Sequence, residues 1–177
     1  MKKICVFCGS SKPENNIILK NEVISLGKLM LSKRIELIYG GAKIGLMGLI
    51  AKTILDGNGK VTGVIPKILS KKEIINKDVT ELIVTENMHE RKKKMYDLSS
   101  AFIVLPGGIG TLEEFSEILT WKILGIESKP IFLLNFNGYY NFLLKQFNEM
   151  GKNNFLYSDI YKEIKIIENV SELKKMI

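Results

Sequence analysis

One histidine, one tryptophan, two cysteines and four prolines are all that 177 residues contain of four residue types that carry much structural and catalytic chemistry. The lone histidine, His89, leaves little room for a Ser-His-Asp triad, and no G-x-S-x-G elbow accompanies it, so it reads as a helix-start residue. Cys5 and Cys8 form a C-x-x-C, but side chains three apart on a strand face opposite ways. No second cysteine pair is present to complete a zinc site, so both read as core thiols, and no metal or redox cofactor is expected. No apolar run approaches the roughly 20 residues that span a bilayer. The opening MKKICVFCGSS has too short an apolar stretch before Gly9 for a signal-peptide core, which places the chain in the cytoplasm as an expectation. The first strand is not followed by G-x-G-x-x-G, and G-x-x-x-x-G-K-[ST] is absent, which argues against NAD binding and against a P-loop ATPase.

What is present is apolar and basic. A hydrophobic fraction of 46% over this length supports one substantial core, and a single domain over 1–177 is expected. The formal net charge is +7, with its lysines spread along the chain apart from the run ERKKK. No aromatic residue interleaves with that run, so it reads as a solvated helix face and no nucleic-acid partner is expected. The excess charge helps draw anionic substrates.

Short β-type runs at 3–8, 35–39, 61–65, 81–85, 101–105 and 130–135 alternate with helical periodicity at 15–33, 45–57, 87–99, 112–124, 139–150 and 170–176. This order predicts an α/β fold, a doubly wound, Rossmann-like parallel sheet with helices on both faces. Residues 66–80 and 151–160 are the least regular. Three expected strands end in small residues: CGSS at 8–11, YGGAKIGLMG at 39–48 and LPGGIGT at 105–111. Ligands of open α/β sheets sit at the carboxyl ends of strands, so three such loops suggest one crevice for a nucleotide or phosphate. In LPGGIGTLEEF, Thr111 and Glu114 have the S/T-x-x-E spacing of a capping box, and a helix start with unpaired N–H groups attracts anions. Glu114 then reads either as the back-bonding member of that box or as a group with chemical work, and Glu113 as a carboxylate favoured by the helix N-terminus. In NMHERKKKMYDLSS, Met88, Met95 and Leu98 mark an apolar stripe that also carries Arg91. An inward arginine needs an anionic partner, either a structural carboxylate, a catalytic carboxylate or a ligand phosphate. Trp121 reads as core.

With CGSS, YGGAKIGLMG, MHERK, PGGIGTLEE, LTWKILGI and KPIFLLNFNGYYN in view, residues 3–160 resemble the Lonely Guy family of nucleoside 5′-monophosphate phosphoribohydrolases, which release cytokinin bases from their nucleotides. Ala42 departs from the family pattern, which has a third glycine there, and its methyl is expected to crowd the loop. Proteins of this family were long labelled lysine decarboxylases, a label for which no lysine here has a recognisable pyridoxal-phosphate setting. The resemblance implies cleavage of purine nucleoside 5′-monophosphates, AMP or cytokinin-type, to free base and ribose 5-phosphate. It implies a catalytic pair Arg91 and Glu114, a phosphate loop Gly107, Gly108, Ile109, Gly110 and Thr111, and a ribose contact at Glu113. Lys92, Thr120 and Glu73 match further nucleotide-binding positions. Gly9 and Ser10, Gly41, Gly45 and Met47, and Leu112 complete the expected substrate-binding set from the three loops. A homodimer is expected, with no membrane partner. The alternative is a non-catalytic carrier of a nucleotide or of the molybdenum cofactor.

Overall fold

The structure, a computed structural model, describes residues 3–11, 16–70, 75–156 and 158–177. Seven parallel strands form one sheet in the order β4-β3-β2-β1-β5-β6-β7. They are β1 Lys3–Phe7, β2 Glu36–Tyr39, β3 Val61–Pro66, β4 Glu81–Thr85, β5 Phe102–Val104, β6 Ile131–Leu134 and β7 Lys165–Ile167. The helices are α1 Ile17–Ser32, α2 Gly45–Asp56, α3 Lys67–Ser70, α4 Met88–Leu98, α5 Ile109–Ile123, α6 Asn141–Lys152, α7 Ile160–Glu163 and α8 Val170–Leu173. The six expected strands are present, and the doubly wound α/β class holds. The structure adds β7 and the short helices α3 and α7, which the sequence pattern does not announce.

Alternation along each central strand divides the core in two. Ile4, Val6, Leu37, Tyr39, Ile103 and Phe132 face one side and pack with Leu26, Ile50 and Leu173 of α1, α2 and α8. Cys5, Phe7, Ile38, Phe102, Val104 and Leu133 face the other and pack with Met95, Phe115, Leu144 and Ile160 of α4, α5, α6 and α7. Cys5 and Cys8 therefore lie on opposite faces, both buried and free, as their spacing predicts. Burying a phenylalanine such as Phe102 or Phe115 contributes about 1.5–3 kcal/mol of transfer free energy. Helices on both faces cover strands that are apolar on both sides, the usual condition for an all-parallel sheet.

β1 sits where the strand order turns. From it the chain winds outward through β2, β3 and β4, then crosses back to β5 on its other side. The carboxyl ends of β1 and β5 thus border the switch-point crevice of this sheet. Among the described residues, no helix is long and apolar enough to cross a membrane, and no group of three or more His, Cys, Asp or Glu is placed to hold a metal ion.

Candidate active site

The loops that leave β1, β2 and β5 lock into one another at that crevice. Leu105 N–H donates to Phe7 O at 2.9 Å, Gly9 N–H to Pro106 O at 3.2 Å and Leu46 N–H to Gly9 O at 3.0 Å. Two glycines make the approach possible. Gly45 has φ +62°, and any side chain there would strike the backbone of Ser10. A Cβ on Gly107 would overlap Thr111 and stand 2.9 Å from Gly9 N. Gly41, at φ +78°, turns its carbonyl to Asn76 N–H at 2.9 Å. Ala42 is buried and pairs with Ile75, and it is not among the non-glycine residues with positive φ, so its methyl fits where crowding was expected. The loops enclose a cleft of about 690 Å³, within the roughly 300–1,000 Å³ usual for small-molecule sites.

Helix α5 begins earlier than its sequence spacing suggests, and the expected capping box does not form. Gly108, extended at φ −89° and ψ −159°, is the N-cap and offers no side chain, so Ile109 and Gly110 open the helix. Thr111 is then the third helical residue and Glu114 lies in the second turn, where a carboxylate has no orphan N–H to satisfy. The N–H groups of Ile109, Gly110 and Thr111 have no helical acceptor at this end and border the cleft. Thr111 is 4% exposed, lines the cleft, and its hydroxyl bonds to no described residue. A donor-rich end of this kind attracts an anion.

Glu114 instead meets Arg91. Its Oε1 accepts from Arg91 Nη1 at 2.7 Å, while Arg91 Nε donates to Val64 O at 3.0 Å. Both side chains are almost fully buried, at 7% and 6% exposure, and both residues line the cleft. A Cβ on Gly40 would stand 2.5 Å from Arg91 Nη2, so the glycine leaves room for the guanidinium. No described group donates to the second oxygen of Glu114. Burial raises the Glu114 carboxyl above its ordinary range, and the Arg91 charge and hydrogen bond pull it back only in part. Of the partners an inward Arg91 required, the structure selects a carboxylate.

Lys92, the next residue, points between α4 and α5. Its ammonium bridges Glu113 Oε1 and Glu117 Oε1, the latter at 3.1 Å. Burial works to lower its pKa, but hydrogen bonds and charge from the two glutamates raise it overall. Glu113 is half exposed and lines the cleft, with its second oxygen unbonded among the described residues.

Of the residues singled out from sequence, Gly9, Ser10, Met47, Arg91, Gly107, Gly108, Ile109, Gly110, Thr111, Glu113 and Glu114 line the cleft. Gly41 and Gly45 shape its walls from behind, and Leu112 and Lys92 do not line it. Thr120 is exposed and donates to Ser116 O at 2.7 Å within α5, also outside the lining. Glu73 lies outside the described residues. His89 is exposed, and Trp121 is half-buried, edge-on to Tyr96 with ring centroids 4.7 Å apart. Sequence reasoning missed the apolar wall of Leu19, Leu46, Ile65 and Leu69, whose spacing reads as core. It also assigned nothing to Tyr139, which lines the cleft from the loop after β6. Two signals were available: its place in the run KPIFLLNFNGYYN, and the end of β6 at the same edge as β1 and β5.

The description of the family model that matches residues 47–177 is "possible lysine decarboxylase". A probable cytokinin riboside 5′-monophosphate phosphoribohydrolase of Oryza sativa subsp. japonica is 48% identical over 157 residues, covering 89% of this chain and 70% of that protein. A cytokinin riboside 5′-monophosphate phosphoribohydrolase of Arabidopsis thaliana is 48% identical over 155 residues, covering 88% and 72%. Among solved structures, the molybdenum cofactor binding protein of Rippkaea orientalis superposes with a TM-score of 0.69 at 23% identity, covering 99% of this chain and 98% of that one. The molybdenum cofactor carrier protein of Chlamydomonas reinhardtii gives 0.70 at 20% identity, covering 99% and 96%. At such identities these two establish a shared fold.

Proposed function

Because this chain belongs to the family of cytokinin riboside 5′-monophosphate phosphoribohydrolases, we propose that it hydrolyses the N-glycosidic bond of purine nucleoside 5′-monophosphates, AMP or cytokinin-type, to free base and ribose 5-phosphate. The observation that carries this reading is the buried Arg91–Glu114 pair opening into the same cleft as the donor-rich start of α5. The 5′-phosphate sits on the N–H groups of Gly108 to Thr111 and on the Thr111 hydroxyl. Glu113, held by Lys92 through one oxygen, accepts from ribose hydroxyls with the other. As the glycosidic bond breaks, its electron pair leaves with the base and positive charge builds on the ribose ring. Glu114 stabilises that charge, and its raised proton affinity suits it to take the proton of the water that attacks the anomeric carbon, a proton that the departing base takes up in turn. Arg91 fixes the Glu114 rotamer and presents Nη2 to the same space.

The carrier reading draws on the shared fold alone, whereas a passive carrier has no use for a buried carboxylate against the sugar. We further infer a cytoplasmic homodimer. Exposed Ile109 at one end of α5 and Leu124 and Ile126 just beyond the other offer apolar area for a second copy, and two free buried thiols suit a reducing compartment. The purified protein is to be incubated with AMP, isopentenyl-AMP, GMP and CMP, with chromatographic detection of base and ribose 5-phosphate. Release from the adenine nucleotides supports the reading; inertness towards all four with tight binding retained would turn it into a carrier. Light scattering at a 20 kDa mass at micromolar concentration would remove the dimer.

A further inference from the structure

Every backbone carbonyl of the loop from Leu105 to Gly108 already has a donor. Leu105 O accepts from Tyr140 Oη at 2.7 Å and Gly107 O from Tyr139 Oη at 2.7 Å. Pro106 O accepts from Gly9 N–H at 3.2 Å and Gly108 O from Leu112 N–H at 3.1 Å. The N–H groups of Gly107 to Thr111, by contrast, have no acceptor among the described residues. The loop thus shows the cleft donors and no free acceptors. Two of the four carbonyl partners come from consecutive tyrosines after β6, a strand that otherwise contributes nothing to the site.

We propose that Tyr139 is a positioning residue for the substrate's phosphate, acting by latching the Gly107–Gly108 peptide. This rests on the phosphate placement proposed above. The carbonyl of Gly107 and the N–H of Gly108 belong to one planar unit and point opposite ways. Holding the oxygen at Tyr139 therefore aims the Gly108 N–H away from it. The latch matters at this peptide because glycine flanks it on both sides, and glycine gives little intrinsic resistance to rotation of the plane. A turned peptide would present a carbonyl where the phosphate oxygens belong. Tyr140 performs the matching task at Leu105, but it is buried at 2% exposure and its phenol is part of the core. Tyr139 is 54% exposed and lines the cleft, so its hydroxyl can be removed with little effect on packing.

The test uses Tyr139→Phe, which keeps the ring, and isothermal titration of the full chain with ribose 5-phosphate and with adenosine. One hydrogen bond of ordinary net strength corresponds to about 2- to 12-fold in affinity. The expected result is that loss for ribose 5-phosphate, no change for adenosine, a melting temperature close to wild type, and KM for AMP raised more than kcat is lowered. Adding Gly108→Ala to Tyr139→Phe should restore part of the affinity. A methyl there meets no atom within 4 Å, and the residue's φ is negative, so alanine restrains the plane without a clash. Unchanged affinity for ribose 5-phosphate, or an equal loss for adenosine, would overturn the latch. A wild-type protein that binds ribose 5-phosphate tightly yet cleaves no nucleotide would overturn the hydrolase reading and leave this comparison intact.

Discussion

Replacing Glu114 with glutamine changes one charge and almost nothing else. Glutamine has the same shape and similar helix propensity, and its carbonyl oxygen can still accept from Arg91 Nη1 where Oε1 does at 2.7 Å. What disappears is a negative charge facing the cleft from a side chain that is 6% exposed. With the carboxylate about 4 Å from the anomeric carbon and an effective dielectric of about 20, the charge is worth about 4 kcal/mol to a unit positive charge on the ring. A full unit never develops, so a loss of about 100- to 1,000-fold in kcat is the reasoned range, in line with removal of a preorganised group elsewhere. The competing structural account, a capping role for which glutamine serves as well, is removed by the helix start at Gly108.

The assay is kcat and KM for AMP and isopentenyl-AMP by release of free base, with ribose 5-phosphate affinity by titration and folding by circular dichroism. Glu114→Gln should fold normally and bind ribose 5-phosphate within a few-fold of wild type, because the proposed phosphate site is α5's first turn. A variant that keeps more than a tenth of wild-type kcat would refute the electrostatic role.

Arg91→Ala leaves the Glu114 carboxylate buried without its partner and should cost about 3–5 kcal/mol in chemical denaturation. Arg91→Ala with Glu114→Gln should recover most of that stability with no activity, and a double variant as unstable as the single one would count against the pair as its source. Gly40→Ala places a methyl 2.5 Å from Arg91 Nη2 and should lower kcat at least about tenfold with the fold intact, since small misplacements of a catalytic group are costly; wild-type kcat would show that the guanidinium can move freely. For pH, the working form of Glu114 is charged and burial raises its pKa, so kcat should fall on the acid side, with its midpoint above the ordinary glutamate value of about 4.3. A pH–rate profile flat down to the ordinary value would contradict this.

Sequence patterning reached the fold because its information is local. The short β-type runs IELIY and AFIVL and the 3.6-residue stripe of α4 survive into the structure within a residue or two. β7 escaped because KII is three residues long and begins with an exposed lysine, too short to show a period. The start of α5 was misplaced because S/T-x-x-E looks like a capping box, while the backbone of Gly108 begins the helix without one. Arg91's inward aim was readable from its spacing to Met95, but the identity of its partner was not. Arg91 and Glu114 are 23 positions apart and meet only because α4 and α5 flank the same face of the sheet. Tyr139 is the same case across 32 positions.

A shared fold with molybdenum cofactor proteins does not settle what this cleft does, because binding an anion requires only the first turn of α5. The second turn separates the two readings. Helical geometry puts Glu114 three residues beyond Thr111, about 4.5 Å further along the axis, a displacement comparable to the reach from a 5′-phosphate to its anomeric carbon. The proposed phosphate donors and the carboxylate are therefore fixed relative to one another by a single rigid element. That carboxylate is costly to keep charged: it is buried, its pKa is raised, and Arg91 must be buried with it at further desolvation cost. Apolar residues at both 91 and 114 would serve the fold at least as well. A charge held against its own solvation cost, about a ribose-length from the proposed phosphate donors, is what stabilising a cationic sugar demands, and what carrying an anion does not.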